Sequence, residues 1–224
     1  MTNQISVKRE SILTRAMARY RSRAAAKRGV RIGFIIDATA SRKKSWEEAQ
    51  VIQAKMFRAT QGISALNLRL VHYGGETLTD LGWESDVRKI AAHMASVRCE
   101  RGLTQINDAL RLFLDEVPDD KADAVILIGD SFEEDSDDAA RLATQLKRQS
   151  INIFCFIDGD DLTASTVFEK LAVDTGGTFA RFGDDLPLAA LCEGVALLAS
   201  GGRKALRRLK NEKARLLLSE PSKT

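Results

Sequence analysis

Three short apolar runs, each ending at an aspartate, constrain the fold of this chain more than any other feature. They cover 31–37, 124–129 with Asp130 directly after it, and 151–158. Short runs dominated by Ile, Leu, Val and Phe are typical of strands buried on both faces of a parallel sheet. Because the carboxyl ends of parallel strands meet at one edge, we expect Asp37, Asp130 and Asp158 there, where such folds form ligand sites.

Helices and a hairpin are predicted between these strands. Apolar residues at spacings of three and four predict helices over 45–60, 85–98, 104–116, 138–149, 163–175 and 186–199, the second with Ser85 as N-cap. A hairpin is predicted from the alternation over 67–73, the Gly74-Gly75 turn signal and the run 76–83. A short edge strand is predicted over 178–182. The pattern predicts an α/β fold with a mostly parallel sheet, one antiparallel edge strand and helices on both faces.

Composition excludes several classes of protein. With 44% hydrophobic residues among 224, the chain has enough apolar mass for a sizeable core. Its three cysteines are far apart and lack any C-x-x-C spacing, which disfavours a disulfide scaffold and a structural zinc site and predicts a cytoplasmic location. No apolar run approaches the roughly 18–20 residues that span a bilayer, so we expect no transmembrane segment.

The net charge of +3 combines three unlike parts. Residues 1–31 hold nine Lys/Arg and one acid, and residues 203–224 hold eight Lys/Arg and two acids. The middle, 32–202, holds 17 Lys/Arg and 28 acids. An acidic body therefore carries two basic ends, and the charge sum alone is a poor guide to its partners.

The segment that follows the first predicted strand carries the most informative chemistry. Asp37, Thr39 and Ser41 alternate with alanines and place three oxygen-bearing side chains in one short loop. Hard oxygen ligands suit Mg²⁺ or Mn²⁺. The same spacing also occurs in a plain strand-to-helix turn, where Ser and Thr cap helices, so both interpretations stay open at this point.

Two further segments favour the metal interpretation. Thr104 comes just before a predicted helix, in the phrase Gly102-Leu-Thr-Gln-Ile-Asn-Asp-Ala-Leu110, and Asp130 ends another buried strand. With them the sequence resembles the von Willebrand factor type A domain family over about residues 30–200. The metal-ion-dependent adhesion site of that family has the form D-x-S-x-S, then Thr, then Asp. This chain departs from that form at Thr39, where Ser is usual. It also departs at Ser131, where Gly is common and a side chain would crowd the site.

The resemblance implies both a fold and a function. It implies a Rossmann-like, three-layer domain over 31–200 that binds other proteins and is not an enzyme. By analogy, Thr39 and Ser41 ligate Mg²⁺ or Mn²⁺ through their hydroxyls, Thr104 binds directly or through water, and Asp37 and Asp130 act as outer-shell carboxylates. An Asp or Glu side chain of a partner protein then completes the octahedron.

Charged segments beside this site have two interpretations each. The acidic loop 133–138 is either a second cation site and electrostatic screen, or a solvated loop in which Ser136 or Asp137 caps the next helix. The run Arg42-Lys43-Lys44 either attracts an acidic partner toward the metal or forms a solvated helix start.

The basic ends, 1–30 and 203–224, are predicted to be amphipathic helices outside the type A domain. The N-terminal pattern over 5–28 has one apolar stripe, and 203–218 places Leu206, Leu209, Leu216 and Leu217 against a basic remainder. These helices could pack within the chain or in a homodimer, contact nucleic-acid phosphates, or lie on an anionic membrane surface. A nucleic-acid-associated factor is therefore the main alternative function.

An enzymatic alternative uses the same aspartate. Asp37-x-Thr39 faintly resembles haloacid-dehalogenase-like phosphatases, with Asp37 as the nucleophile. Those enzymes usually have a second Asp two residues after the nucleophile, where this chain has Thr39, and no general acid is evident in the sequence.

Overall fold

A single twisted sheet forms the centre of the molecule in the computed structural model, which describes residues 29–42, 66–117 and 120–220. Its strands within those ranges are β1 Val30–Asp37, β2 Leu66–Gly74, β3 Thr77–Glu84, β4 Ala124–Gly129, β5 Asn152–Ile157 and β6 Phe179–Arg181. Their order is β3-β2-β1-β4-β5-β6, and the β2–β3 pair is antiparallel while the others are parallel. The predicted mostly parallel sheet with one antiparallel edge strand is confirmed.

Helices cover both faces of the sheet, as the sequence predicts. They are α1 Val87–Ser96, α2 Ile106–Leu114, α3 Ser136–Arg148, α4 Leu162–Thr175, α5 Leu188–Ala205 and α6 Glu212–Ser219, with 3₁₀ turns at Ala40–Arg42 and Leu206–Arg208. None of these helices is both long and apolar enough to cross a membrane. The helices predicted over 5–28 and 45–60 lie outside the described residues.

Two apolar layers hold this arrangement together, one on each face of the sheet. Ile32, Phe34 and Ile36 of β1 pack on the side of α1, α5 and α6, whereas Ile35 packs on the side of α2, α3 and α4. Alternation along one strand therefore fills both layers, as expected for a strand covered on each face. Because these side chains are buried in both layers, the register of β1 against its neighbours is fixed. Asp37, its last residue, is therefore held at the edge of the sheet where β1 ends.

Two helix starts differ from their predicted positions. Asp86, not Ser85, caps α1, because its carboxylate accepts a hydrogen bond from the Arg88 amide at 3.0 Å. Asp135 caps α3, accepting from the amides of Asp137 at 2.8 Å and Asp138 at 3.4 Å. In both places several good capping residues follow one another, and the sequence does not show which of them turns back onto the helix.

The C-terminal segment also differs from its predicted form. Helical geometry is interrupted at Gly202 (φ 64°, ψ −165°), near the predicted stop, but the chain turns, continues to Ala205 and then forms the second 3₁₀ turn and α6. Residues 203–218 are thus not one helix. Their buried members Leu206, Leu209, Ala214 and Leu218 join the same apolar layer as α5.

Candidate metal centre

Neighbouring strands bring three aspartates to one edge of the sheet. Ile36 of β1 pairs with Ile128 of β4, and Gly129 of β4 pairs with Ile157 of β5. Asp37, Asp130 and Asp158 therefore end or follow adjacent strands at the same level. Gly129 lies so close that a Cβ atom built on it would be 3.6 Å from the Cβ atom of Asp37.

The turn after β1 brings the first three predicted ligands together. The Asp37 carboxylate is fully buried, and its Oδ1 accepts a hydrogen bond from the Thr39 amide at 2.7 Å. The 3₁₀ turn Ala40–Arg42 then curls the chain, so that the hydroxyl oxygens of Thr39 and Ser41 lie 2.9 Å apart. Ser41 is exposed, whereas Thr39 is buried.

In the part of the chain that the structure describes, two buried oxygens here lack hydrogen-bond partners, one on Asp37 and one on Tyr73, the residue of β2 that pairs with it. Among the described residues, neither Oδ2 of Asp37 nor the hydroxyl of Tyr73 has a hydrogen-bond partner, although both are buried. Burial raises the pKa of Asp37 to about 6, the nearby Asp130 carboxylate raises it too, and hydrogen bonds from Thr39 and the charge of Arg42 oppose the rise. The pKa of Tyr73 is raised well above its usual value, by burial first and then by the negative charge of Asp37. A cation beside Asp37 and Asp130 would relieve this unfavourable concentration of negative charge.

Thr104 reaches the same edge on a separate loop. The backbone of Glu100 donates to the Ala38 carbonyl at 3.0 Å, and Thr39 and Glu100 form an isolated bridge, so this loop runs alongside the turn after β1. Thr104 itself is buried, and its hydroxyl accepts a hydrogen bond from the Glu133 amide at 3.1 Å. That contact leaves the hydroxyl hydrogen and a lone pair for another partner.

Asp130 is half-buried at the head of the next loop. The hydroxyl of Ser131, the residue expected to crowd the site, lies 3.5 Å from Oδ1 of Asp130. Ser131, where the family commonly has Gly, therefore directs its hydroxyl at the Asp130 carboxylate.

The acidic loop has a role that neither sequence interpretation includes. Oε1 and Oε2 of Glu134 accept hydrogen bonds from the amides of Ile106 at 2.6 Å and Asn107 at 2.8 Å, at the N-terminus of α2. Oε2 of Glu133 accepts from the Thr104 amide at 3.2 Å. The loop after β4 thus caps a helix that lies elsewhere in the sequence and fixes the Thr104 loop against it, while Asp135, not Ser136 or Asp137, caps α3.

The side chain of Arg42 fits neither interpretation of the run Arg42-Lys43-Lys44. Its side chain is completely buried beneath the turn, where Nη1 donates to the Asp37 carbonyl at 3.1 Å and Nη2 lies 3.6 Å from Oδ2 of Asp158. A buried guanidinium neither attracts a partner at the surface nor forms a solvated helix start. Lys43 and Lys44 lie outside the described residues.

The donor set selects a class of metal ion. Hydroxyl and carboxylate oxygens suit Mg²⁺ and Mn²⁺, which favour hard ligands. Within the described residues, no group of three or more His, Cys, Asp and Glu side chains is arranged to hold a metal ion. The burial of Asp37 also counts against the phosphatase alternative, since a nucleophilic carboxylate has to reach its phosphoryl group.

Two cavities in the described part of the chain lie outside this set of residues. One, of about 510 Å³, is bounded by Ala124 and Asn152 at the starts of β4 and β5 and by Arg203. The other, of about 520 Å³, is a groove between α3 and α4. Neither includes a predicted metal ligand.

Comparisons with known proteins give matches in structure alone. No protein-family model and no curated protein sequence matches the chain. The chain is similar to the VWA domain of SpRpn10, with 12% identity over 77% of this chain and 97% of that one and a TM-score of 0.59. It is similar to an aerotolerance-related membrane protein from Bacteroides fragilis with multiple mutations to serines, with 14% identity, coverage of 78% and 98% and a TM-score of 0.58.

A third similar solved structure has a metal ion in its metal-ion-dependent adhesion site (MIDAS). Proximal thread matrix protein 1 from the mussel byssus, with a zinc-occupied MIDAS motif, is 20% identical over 76% of this chain and 46% of that one, with a TM-score of 0.61. At these identities the likeness is one of fold. The chain has the von Willebrand factor type A fold, as the sequence predicts.

Proposed function

We propose, from its von Willebrand factor type A fold, that this chain is a metal-dependent protein-binding module. In this proposal a Mg²⁺ or Mn²⁺ ion is held by Thr39, Ser41 and Thr104 through hydroxyl oxygens and by Asp37 and Asp130 through bound waters. An Asp or Glu carboxylate of a partner protein would supply a further ligand. The domain that carries the site covers about residues 31–200.

One observation carries the proposal, namely the buried Oδ2 atom of Asp37 without a hydrogen-bond partner among the described residues. Buried polar atoms are nearly always paired, so an unpaired carboxylate oxygen indicates a ligand or an ordered water. The hydroxyl pair of Thr39 and Ser41, 2.9 Å apart in the same turn, provides the neighbouring oxygens that such a ligand needs.

The chain's own residues position the site. The Thr39 amide fixes Oδ1 of Asp37, the Glu133 amide fixes the Thr104 hydroxyl, and Arg42 holds the carbonyl of Asp37 from below. When bound, the ion supplies a Lewis-acidic position for a carboxylate oxygen. Because hydroxyl ligands are neutral, much of the ion's charge is left for the partner to neutralise.

Metal binding is tested by Mn²⁺ titration followed by electron paramagnetic resonance. Asp37→Asn keeps the shape of the side chain and removes its charge, and should weaken Mn²⁺ binding about 10–100-fold, as loss of an outer-shell group does elsewhere. Asp160→Asn is the matched control, because its side chain is 98% exposed in the loop after β5, at the same edge. Equal affinities in Asp37→Asn and the unaltered protein would refute the metal site.

Partner capture needs its own experiment. The immobilised protein should retain a partner in Mg²⁺ and release it in EDTA, and Asp37→Asn should not retain it. Retention that survives both chelation and Asp37→Asn would contradict carboxylate capture even if Mn²⁺ binds. We place this interaction in the cytoplasm, because the three cysteines lie far apart in the sequence and lack any C-x-x-C spacing, as is usual in proteins of reducing compartments.

A further inference from the structure

A surface separate from the metal centre carries a dense group of unpaired positive charges. At the end of α5 and in the turn after it, the side chains of Arg203, Lys204, Arg207, Arg208 and Lys210 are exposed. We call these five residues the basic corner. In the part of the chain that the structure describes, none of the five forms an ion pair. The next two cations along the chain are engaged, Lys213 near Asp185 at 3.8 Å and Arg215 near Glu212 at 3.6 Å.

The backbone beneath the basic corner is held in place by apolar contacts. Leu206 and Leu209 alternate with the charged residues and are each 1% exposed, and Leu218 of α6 packs beside them. Gly194 of α5 permits this close approach, since a Cβ atom there would lie 2.3 Å from Leu218 and 3.0 Å from Leu209. Anchoring of this kind presents the charges on a fixed frame, so that less conformational freedom is lost when they bind a ligand.

The same contacts argue against a membrane as the ligand. A basic amphipathic helix binds a bilayer by inserting its apolar stripe, but here that stripe faces α5. The segment 203–220 has no aromatic residue, and Leu216 is its one large apolar side chain that is mostly exposed. For the same reason a second copy of the chain has little apolar surface to bind at this corner.

The surface that remains is charged and has no aromatic side chain on which bases could stack. Closely spaced Arg and Lys side chains bind phosphate backbones through counterion release, whereas stacking on bases needs aromatic side chains. We propose that the basic corner binds the phosphate backbone of a double-stranded nucleic acid without reading its sequence. This binding is independent of the metal centre, because Arg203 lines the cavity at the starts of β4 and β5, at the opposite edge of the sheet.

Salt dependence gives a quantitative test. Binding of the full chain to a labelled 24-base-pair duplex of arbitrary sequence is measured by fluorescence anisotropy from low to moderate salt. Five phosphate contacts predict a slope of log K against log salt of about −4 to −5. The triple variant Arg207→Gln, Arg208→Gln, Lys210→Gln should bind at least about tenfold more weakly at low salt, with a slope nearer −2.

The matched control removes the same charge elsewhere. Arg98→Gln, Arg101→Gln, Arg181→Gln together lower the net charge by the same amount at exposed positions near the edge that carries Asp37, and should leave affinity and slope nearly unchanged. Circular dichroism and thermal melting establish that both variants fold. Undetectable duplex binding by the unaltered chain, or an equal loss in the two variants, would overturn the proposal. So would unchanged binding in the triple variant, or tighter binding to phosphatidylserine vesicles than to the duplex.

Discussion

The histidine pair between β2 and α1 makes the stability of the protein depend on pH. His72 and His93 place their Nε2 atoms 3.0 Å apart, and His72 is half-buried. Burial, and after it the charge of His93, lowers the pKa of His72 from 6.5 to about 4. The folded protein therefore favours neutral His72, and its contribution to stability is present above pH 6.5 and lost as the pH falls toward 4.

Replacing His72 tests this dependence. His72→Gln keeps a polar side chain beside His93 but does not titrate, so its stability should fall less between pH 7 and pH 4.5. The expected difference is about 1–2 kcal/mol once partial exposure is allowed for. Urea unfolding at four pH values measures it, and parallel curves for the two proteins would show that His72 is not the titrating group.

Single residues also show what sequence can and cannot predict. Asp37, Thr39 and Ser41 lie within five positions of one another, so their spacing alone predicts one turn of oxygen ligands. Arg42 follows directly, yet its burial depends on Asp158, which lies 116 positions further along the chain. A charged residue beside a loop is usually solvated, and nothing local in the sequence indicates this exception.

At the scale of elements, the contact between the loop after β4 and the N-terminus of α2 joins two parts of the candidate site. Glu134 accepts two backbone amides there, and Glu133 and Thr104 bond to each other in both directions. A carboxylate at a helix N-terminus is favoured by the unpaired amides and by the helix dipole. The loop that carries Asp130 therefore also sets the position of Thr104.

Removal of this cap is expected to loosen the Thr104 loop. Glu134→Ala should lower the free energy of unfolding by about 1–2 kcal/mol, as loss of a helix cap does. Amide exchange at Ile106 and Asn107 should become faster, and Mn²⁺ binding should weaken several-fold. Asp137→Ala, which removes an exposed acid from the first turn of α3, is the control and should change neither the exchange of these amides nor metal binding.

The boundaries of the helices and strands also divide into those that neighbouring residues predict and those that depend on residues far away in the sequence. The central strands β1, β4 and β5 were predictable because each is a mostly apolar run, and the β2–β3 hairpin because of its alternation and glycine turn. Gly176 ends α4 in the left-handed conformation where the sequence places a stop. The helix starts at Asp86 and Asp135 were displaced by one or more residues, because neighbouring Ser and Asp residues compete for the capping position. Glu134 was not predictable as a cap, since the helix that it caps begins 28 residues earlier.

At the scale of the whole molecule, the basic C-terminal segment belongs to the apolar interior as well as to the surface. Leu218→Ala should lower stability by about 2–4 kcal/mol, as truncation of a buried leucine does, because Leu218 is 3% exposed against α5. Leu216→Ala, two positions earlier and 58% exposed, should change it by about 0.5 kcal/mol or less. Equal effects in chemical denaturation would mean that α6 does not pack against α5 in solution.

The contact between Gly194 and Leu218 has a consequence for how the protein could organise other molecules. It fixes the basic corner at one edge of a sheet whose opposite edge carries Asp37, and a strand of eight residues extends about 26 Å. A duplex and a partner protein held at these two edges would occupy separate surfaces of the chain. The chain would then act as a rigid bivalent linker, raising the local concentration of its partner along the nucleic acid without any contact between the two.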